Sequence, residues 1–225
     1  MKNVHSETNR AFYDRISHSY DAIADAGEHA ARVKGERALD LRPDESVIEV
    51  GFGTGNSLVD FAGCVGPLGT IAGVDISPRM LAIAESKLRE QRLACRIDLR
   101  IGDGRQLPFE DGAFDAAFMS FTLELFPLED IPLVLQEVER VLRPGGRIGI
   151  VAMAAAREGE RASTLEKSYV WMHRHFPHIV DCRPIDVCAT LERAHFAVTS
   201  EEDVDLWTMP VRIAVGELAA VPAHS

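Results

Sequence analysis

Hydrophobic residues along the chain alternate between short runs rich in Val, Ile and Phe and longer stretches with helical spacing. The short runs are bounded by Gly, Asp or Pro, which is typical of buried strands. Strands that alternate with helices of this length predict a mainly parallel sheet covered on both faces. The predicted strands are Ser46–Val50, Thr70–Asp75, Ile97–Ile101, Phe114–Met119 and Arg147–Met153.

Two of the intervening helices have clear end signals. One is predicted over Pro78–Gln91, because Ser77 is a favoured N-cap and proline is favoured at the first helical position. The other is predicted over Leu128–Leu142, where the apolar residues share one face. The sequence Pro144-Gly145-Gly146 then predicts the end of that helix.

The rest of the chain completes one doubly wound α/β domain. Two runs, Phe196–Val204 and Val211–Gly216, predict an antiparallel pair at the sheet edge, which gives seven strands with the last antiparallel. We expect a cofactor-binding core over 44–153 and the terminal strand pair over 196–217. Segments 1–43 and 154–195 fall outside the strand rhythm. They are predicted to cap the site, because ligands of open α/β sheets bind beyond the carboxyl ends of the strands.

The predicted N-terminal cap contains two helical stretches, at Thr8–Ala24 and Glu28–Leu41. The later cap segment carries Trp171, Met172 and Phe176, which would provide apolar walls for a substrate.

The composition of the chain disfavours some classes of binding partner and some cellular locations. The formal net charge of −11 disfavours nucleic acid, since binding to phosphate backbones depends on clustered Lys and Arg. The polar stretch Met1–Arg10 lacks the apolar core of a signal peptide, and no apolar run is long enough to span a bilayer. The four cysteines form no CxxC pair, which predicts reduced thiols. We therefore expect a cytoplasmic monomer or homodimer, with peripheral membrane contact left open.

The strongest chemical signal is the segment Glu49-Val50-Gly51-Phe52-Gly53-Thr54-Gly55, which follows a predicted strand and opens a helix. Alternate glycines let the backbone turn sharply and approach a ligand closely. The helix start then directs free N–H groups towards that ligand. The GxGxG spacing differs from the GxGxxG of nicotinamide-binding folds, although such loops serve several nucleotides.

Two aspartates extend this signal. Asp75 ends the second strand, where a carboxylate can accept both hydroxyls of a ribose. Asp103 follows the third strand between two glycines, where it could accept a hydrogen bond from an adenine amino group. Together they indicate a nucleoside ligand.

Four motifs occur in order: EVGFGTG, GVDIS, GDGRQLPFEDGAFDAAFMSF and LQEVERVLRPGGRIGIV. In this order and spacing the chain resembles the class I S-adenosylmethionine-dependent methyltransferases, which have a Rossmann-like fold. Within them it is most similar to the ubiquinone/menaquinone-biosynthesis branch. The resemblance runs from about Phe12 to Met153, including Tyr-Asp segments at Tyr13 and Tyr20. The Gly-x-His stretch of that branch is only partly matched, at Gly27-Glu28-His29, and this weakens the prediction of a quinone substrate.

The resemblance implies a role for each matching residue, with S-adenosyl-L-methionine as cofactor and S-adenosyl-L-homocysteine as product. The methionine part would lie against Glu49, Gly51, Gly53 and Gly55, and the ribose against Asp75. The remaining contacts would be Ile76, Met80, Asp103 and Gly104 at the adenine, Ser120 and Phe121 beneath the sulfonium, and Tyr20 above it.

The acceptor is expected to be a small organic molecule, aromatic or isoprenoid-like. A phenol, amine or activated carbon must lose a proton, which calls for a nearby base. The candidates are His29, Glu124, His173 and His175. We expect no metal site, because Pro177 interrupts the helical spacing that would pair His175 with His178.

Three alternatives remain open at this point. The acceptor could be a lipid-like amine such as a phospholipid headgroup. The chain could instead be an NAD-dependent oxidoreductase, although it has no second nucleotide-binding half. It could also be a cofactor-binding protein without catalysis, although the cofactor motifs are intact.

Overall fold

A computed structural model describes residues 28–155, 183–206 and 209–219. The strands are β1 (Ser46–Val50), β2 (Thr70–Asp75), β3 (Arg96–Ile101), β4 (Phe114–Ser120), β5 (Leu142–Met153), β6 (Phe196–Leu206) and β7 (Met209–Leu218). The helices are α1 (28–39), α2 (Asn56–Val65), α3 (Pro78–Glu90), α4 (Ile131–Val141) and α5 (Val187–Arg193). A short 3₁₀ turn, Leu123–Leu125, follows β4.

All seven strands belong to one sheet with the order β3-β2-β1-β4-β5-β7-β6. The first five strands pair in parallel, whereas β7 is antiparallel to both β5 and β6. From β1 the chain proceeds outwards through β2 to β3 on one side of the sheet, and it returns to the other side of β1 with β4. The strand order therefore reverses between β1 and β4. This confirms the predicted doubly wound sheet with an antiparallel last strand, and its switch point lies where such folds bind ligands.

The sheet buries apolar side chains on both faces, as the short continuous runs predicted. On β4, Ala116 and Phe118 pack on the face covered by α1, α2 and α3, while Ala117 and Met119 pack on the face covered by α4 and α5. The ring of Phe118 meets Phe61 of α2 edge-on, with centroids 5.3 Å apart. The core therefore has two layers that hold the carboxyl ends of the central strands in place.

Two predicted starting points, in consecutive elements, were wrong. The second helix begins at Ile131 rather than Leu128, and β5 begins at Leu142 rather than Arg147. Between the ladder pairs Phe114↔Leu142 and Ala116↔Arg147, one residue of β4 opposes residues 143–146 of β5. The Pro-Gly-Gly sequence thus forms an irregularity inside the strand, with Gly145 at φ +77, instead of a loop after the helix.

Helix α1 is attached to the sheet by Arg147 of β5. Its guanidinium donates to the carbonyls of Leu39 at 2.6 Å and Asp40 at 2.7 Å, and forms an ion pair with Glu45. Within the described ranges, none of the helices combines the length and apolarity needed to cross a membrane.

Candidate functional site

A cavity of about 260 Å³ opens at the carboxyl ends of β1, β2, β3 and β4. This volume is close to the lower end of small-molecule sites, roughly 300 Å³. Loops after four different strands contribute to its wall. The lining residues are Val50, Gly51, Gly53, Val74, Asp75, Ile76, Met80, Gly102, Asp103, Gly104, Arg105, Ser120, Phe121, Thr122, Leu125, Phe126, Pro127, Glu129 and Asp130.

The glycine loop after β1 approaches the β4 loop too closely for a side chain at its first position. A Cβ on Gly51 would lie 2.3 Å from Cγ2 of Thr122, and the residue has φ +77. Gly53 also has positive φ, +51, yet a Cβ there would meet no protein atom within 4 Å. Gly51 is therefore required for packing, while Gly53 leaves the cavity wall open to a ligand.

Asp75 ties the glycine loop to the end of β2. One carboxylate oxygen accepts from the backbone N–H of Gly53 at 2.9 Å, and the other accepts from the N–H of Ser77 at 2.8 Å. Each carboxylate oxygen can accept more than one hydrogen bond. The side chain that the resemblance assigns to a ribose is therefore held in place at the cavity wall.

Asp103 is held by its neighbour Arg105. The guanidinium donates to both carboxylate oxygens of Asp103, at 2.9 and 2.5 Å, and reaches Asp130 at 2.7 Å. These bonds lower the pKa of Asp103, although burial of the carboxyl opposes them as the largest influence. The result is an ionised acceptor at the cavity wall.

Glu49 lies beneath the glycine loop and does not itself line the cavity. It is 3 % exposed, and burial raises its pKa well above the ordinary value. Its Oε2 atom has no hydrogen-bond partner among the described residues. A buried acceptor without a partner is unfavourable unless a donor is supplied, so Glu49 is suited to a donor that arrives with a ligand.

The loop after β4 forms the floor of the cavity. Phe121 has φ +49, and its N–H donates to the carbonyl of Val151 at 2.7 Å. The hydroxyl of Thr122 donates to the carbonyl of Ser120 at 2.9 Å. A positive φ at an aromatic residue is uncommon, and here the neighbouring strand β5 holds it.

Glu124 lies just beyond this floor and is 2 % exposed. Its Oε1 accepts from the N–H of Met153 at the end of β5, at 3.1 Å. Burial, with a smaller contribution from the charge of Glu28, raises its pKa to about 8. Of the two candidate bases in the described part of the chain, Glu124 is buried and His29 is exposed.

The structure brings most of the sequence-predicted cofactor residues to one cavity. Two that it does not bring there are Glu49 and Gly55; a Cβ on Gly55 would lie 2.9 Å from Cβ of Ala84, so this glycine lets α2 pack against α3. The candidate base His29 is exposed, with Nδ1 2.9 Å from Arg32. Tyr20, His173 and His175 lie outside the described residues.

Sequence reasoning missed several lining residues, chiefly Arg105, Thr122 and Asp130. Only Arg105 had a signal, as a basic residue two positions after Asp103. Across the described ranges, no group of three or more His, Cys, Asp or Glu side chains is arranged to hold a metal ion.

With this geometry in place, the chain can be compared with known proteins. The profile of a methyltransferase domain family matches residues 47–146, which include the glycine loop, both aspartates and the floor of the cavity. The chain carries a methyltransferase domain. The resemblance that the four motifs predicted is thereby confirmed.

The names of curated relatives of this methyltransferase domain specify different small molecules. The chain is 32% identical over 154 residues to a demethylmenaquinone methyltransferase of Lactobacillus johnsonii, which covers 67% of this chain and 60% of that protein. It is 38% identical over 141 residues to the nocamycin O-methyltransferase of Saccharothrix syringae, covering 61% of this chain and 48% of that protein. The chain thus spans only about half to three fifths of these relatives.

A solved structure shows the same fold. The 1,6-didemethyltoxoflavin-N1-methyltransferase of Burkholderia thailandensis, whose structure holds its substrate and S-adenosylhomocysteine, matches with a TM-score of 0.71 at 18% identity. The match covers 95% of this chain and 88% of that one. The arrangement of strands around the cavity therefore belongs to a fold that methyltransferases use.

Proposed function

We propose that this protein transfers a methyl group from S-adenosylmethionine to a small organic acceptor. The observation that carries the proposal is the convergence of the glycine loop, Asp75 and Asp103 on one cavity at the switch point of the sheet. These residues come from three separate strand ends, and each offers an interaction that a nucleoside needs.

The carboxyl groups at and behind the cavity wall also suit a positively charged cofactor. S-adenosylmethionine supplies a methyl group on a positively charged sulfur, so the main demand on the protein is alignment of the acceptor. Asp75 would hold the ribose hydroxyls and Asp103 the adenine amino group. Oε2 of Glu49, which has no partner among the described residues, would accept a hydrogen bond from the ammonium group in the methionine part of the cofactor. Ser120 and Phe121 would border the sulfonium.

The acceptor is proposed to be aromatic or isoprenoid-like. Relatives whose names specify a menaquinone precursor and a nocamycin support a small organic substrate. A second candidate is N-methylation of a lipid-like amine. It is favoured by the half-buried carboxyl group of Glu28 and the buried carboxyl group of Glu124, near which a protonated amine would be stabilised.

The test is transfer of label from methyl-labelled S-adenosylmethionine to a naphthoquinol, a substituted phenol and vesicles containing phosphatidylethanolamine, with products identified by mass spectrometry. Label in the quinol or phenol would support the proposal, and label only in the phospholipid would favour the second candidate. Glu110→Gln, an exposed change at the opposite end of β4, is the matched control for the Asp75→Asn variant, which should lose transfer. Transfer that is equal in wild type and Asp75→Asn would contradict the proposed site.

A further inference from the structure

The outer edge of β3 has no partner strand among the described residues, because β3 ends the sheet order. The N–H of Arg96 donates to the carbonyl of Gly69 at 3.2 Å, and that of Gly102 donates to the carbonyl of Asp75 at 3.0 Å. The backbone groups of successive residues alternate between the two sides of a strand. The residues whose N–H and C=O groups point away from β2 are therefore Ile97, Leu99 and Ile101.

This outer edge also exposes apolar side chains. Ile97 is 37% exposed and Ile101 is 50% exposed, and they are two of the five large apolar residues that are exposed in the described part of the chain. A groove of about 500 Å³ lies between β3 and α3, with Leu88 and Leu93 on its wall beside Ile97. An unpaired strand edge with exposed apolar side chains favours pairing with another chain.

The opposite edge of the sheet, formed by β6, is different. Its pairing with β7 shifts register between Val198 and Ser200, and the consecutive acidic residues Glu201–Asp203 follow. Bulges and charged side chains of this kind discourage pairing between the edges of two sheets. In contrast, β3 pairs with β2 without a shift from Arg96 to Ile101, and its charged residues alternate in sign. The β3 edge therefore lacks the features that protect the β6 edge.

The charged side chains of β3 lie on the face opposite Leu99, because side chains alternate along a strand. Arg100 donates to both carboxylate oxygens of Asp98, at 2.9 and 2.7 Å, and its guanidinium carbon lies 4.2 Å from the ring centroid of Phe109. The side chains of Arg100 and Asp98 remain 42% and 26% exposed. Each carboxylate oxygen can accept a further hydrogen bond. The strand edge thus presents one fixed charge of each sign to a second chain.

We infer that β3 pairs antiparallel with β3 of a second copy of this chain, which forms a two-fold dimer with one continuous sheet. In this dimer, Leu99 lies opposite Leu99 of the partner subunit, and Ile97 lies opposite Ile101 of the partner subunit. These outward-facing residues exchange N–H···O=C bonds as hydrogen-bonded pairs. Asp98 lies opposite Arg100 of the partner subunit in a non-hydrogen-bonded pair, where side chains are closest. The dimer is independent of the proposed methyl transfer.

The charges of β3 select this register. In a two-fold antiparallel pair, outward-facing residues must lie opposite one another, so the centre is a single residue. A centre one residue earlier places Asp98 opposite Asp98, and a centre one residue later places Arg100 opposite Arg100. A centre at Ile97 leaves the last residues of β3 without a strand partner. A centre at Leu99 pairs residues 97–101 throughout and places opposite charges together, which stabilises the pair.

The experiment is sedimentation velocity of the full chain over a range of concentrations, at which wild type should form a dimer. Asp98→Arg and Arg100→Asp each place like charges opposite one another. The dissociation constant of the dimer should therefore rise at least about tenfold in either variant. An equimolar mixture of the two variants restores opposite charges at both positions, and it should form dimers that contain one chain of each variant.

Glu192→Arg is the matched control. It makes the same change in charge as Asp98→Arg, but on an exposed residue of α5, which packs at the β6 edge of the sheet. The dissociation constant of this variant should equal that of wild type. An equal rise in the control would show that net charge governs association, and it would overturn the inference.

A second measurement needs no variant. Amide hydrogen exchange, followed by NMR, should show that the protection of Leu99 and Ile101 increases with protein concentration, because their N–H groups become bonded in the dimer. Arg100 is the internal control, since its N–H faces β2 and should be protected at every concentration.

A wild-type protein that sediments as a monomer at every concentration would overturn the inference. So would exchange at Leu99 and Ile101 that does not depend on concentration, or a mixture of the two folded variants that stays monomeric. Dimers that both charge reversals leave unchanged would lie on another surface, and would overturn it too. None of these results bears on cofactor binding.

Discussion

The two glycines Gly53 and Gly112 offer a matched test of where the cofactor binds. Both have positive φ, +51 and +61, and a Cβ on either would meet no protein atom within 4 Å. They differ in place, because Gly53 lines the cavity and Gly112 lies in the loop before β4. Alanine at each position therefore imposes a similar backbone strain, but only Gly53→Ala adds a methyl group to the cavity wall.

The expected magnitudes follow from these environments. A non-glycine residue in the left-handed region costs about 1 to 2 kcal/mol, so both variants should lose this much unfolding free energy. Crowding a close-packed contact by one methyl group costs about 1 to 3 kcal/mol, which corresponds to a rise in Kd of roughly 5- to 150-fold. Only Gly53→Ala should show this rise for S-adenosylhomocysteine.

The assays are urea unfolding for stability and calorimetry for S-adenosylhomocysteine affinity. Gly51→Ala completes the series: its Cβ would lie 2.3 Å from Thr122, so it should lose more stability than either of the other variants. If Gly53→Ala bound S-adenosylhomocysteine as tightly as Gly112→Ala, the cofactor would not lie against this loop and the reasoning would be refuted.

Three further predictions concern stability and the site. The pKa of Glu124 in the folded protein is about 8, above its ordinary value of 4.5. The protonated side chain therefore contributes to the unfolding free energy in full below pH 4.5. This contribution, at most about 5 kcal/mol, is lost as the pH rises towards 8. In urea unfolding at pH 5.5 and 8.5, Glu124→Gln should show a smaller loss than wild type; an equal loss would contradict the burial argument. Arg147→Lys should lower unfolding free energy by about 2 kcal/mol, since lysine cannot keep the bonds to Leu39, Asp40 and Glu45, and an unchanged urea midpoint would count against that role. Arg105→Gln should weaken S-adenosylhomocysteine binding about tenfold, as measured by calorimetry, because the carboxylate beside it is no longer held, whereas unchanged affinity would exclude this positioning.

The central strands were predictable because they are short apolar runs between turn residues, as at Ser46–Val50 and Thr70–Asp75. The early start of β5 was not, because Pro144 and the glycines after it read locally as a helix stop. Only the pairing of Leu142 with Phe114, which are 28 positions apart in the chain, shows that the segment continues the sheet. Local sequence therefore predicted most of the elements, but not helix α5 or an irregularity that depends on the partner strand.

The candidate site divides in the same way. The glycine loop, Asp75 and Asp103 carry their signal in a few adjacent residues, so motif spacing was sufficient to find them. The approach of Thr122 to Gly51 joins residues 71 positions apart, and the bond from Met153 N–H to the buried carboxyl of Glu124 joins the end of β5 to the turn after β4. Contacts of this kind come from tertiary packing and have no local pattern.

The central claim is that the cavity at the switch point holds S-adenosylmethionine. Calorimetric titration of the wild-type protein and Asp75→Asn with S-adenosylhomocysteine and with NAD tests it most directly. The account predicts one S-adenosylhomocysteine per chain, an affinity reduced at least about tenfold by Asp75→Asn, and no heat of binding from NAD. Binding of NAD without binding of S-adenosylhomocysteine would contradict the account and support a dinucleotide site instead.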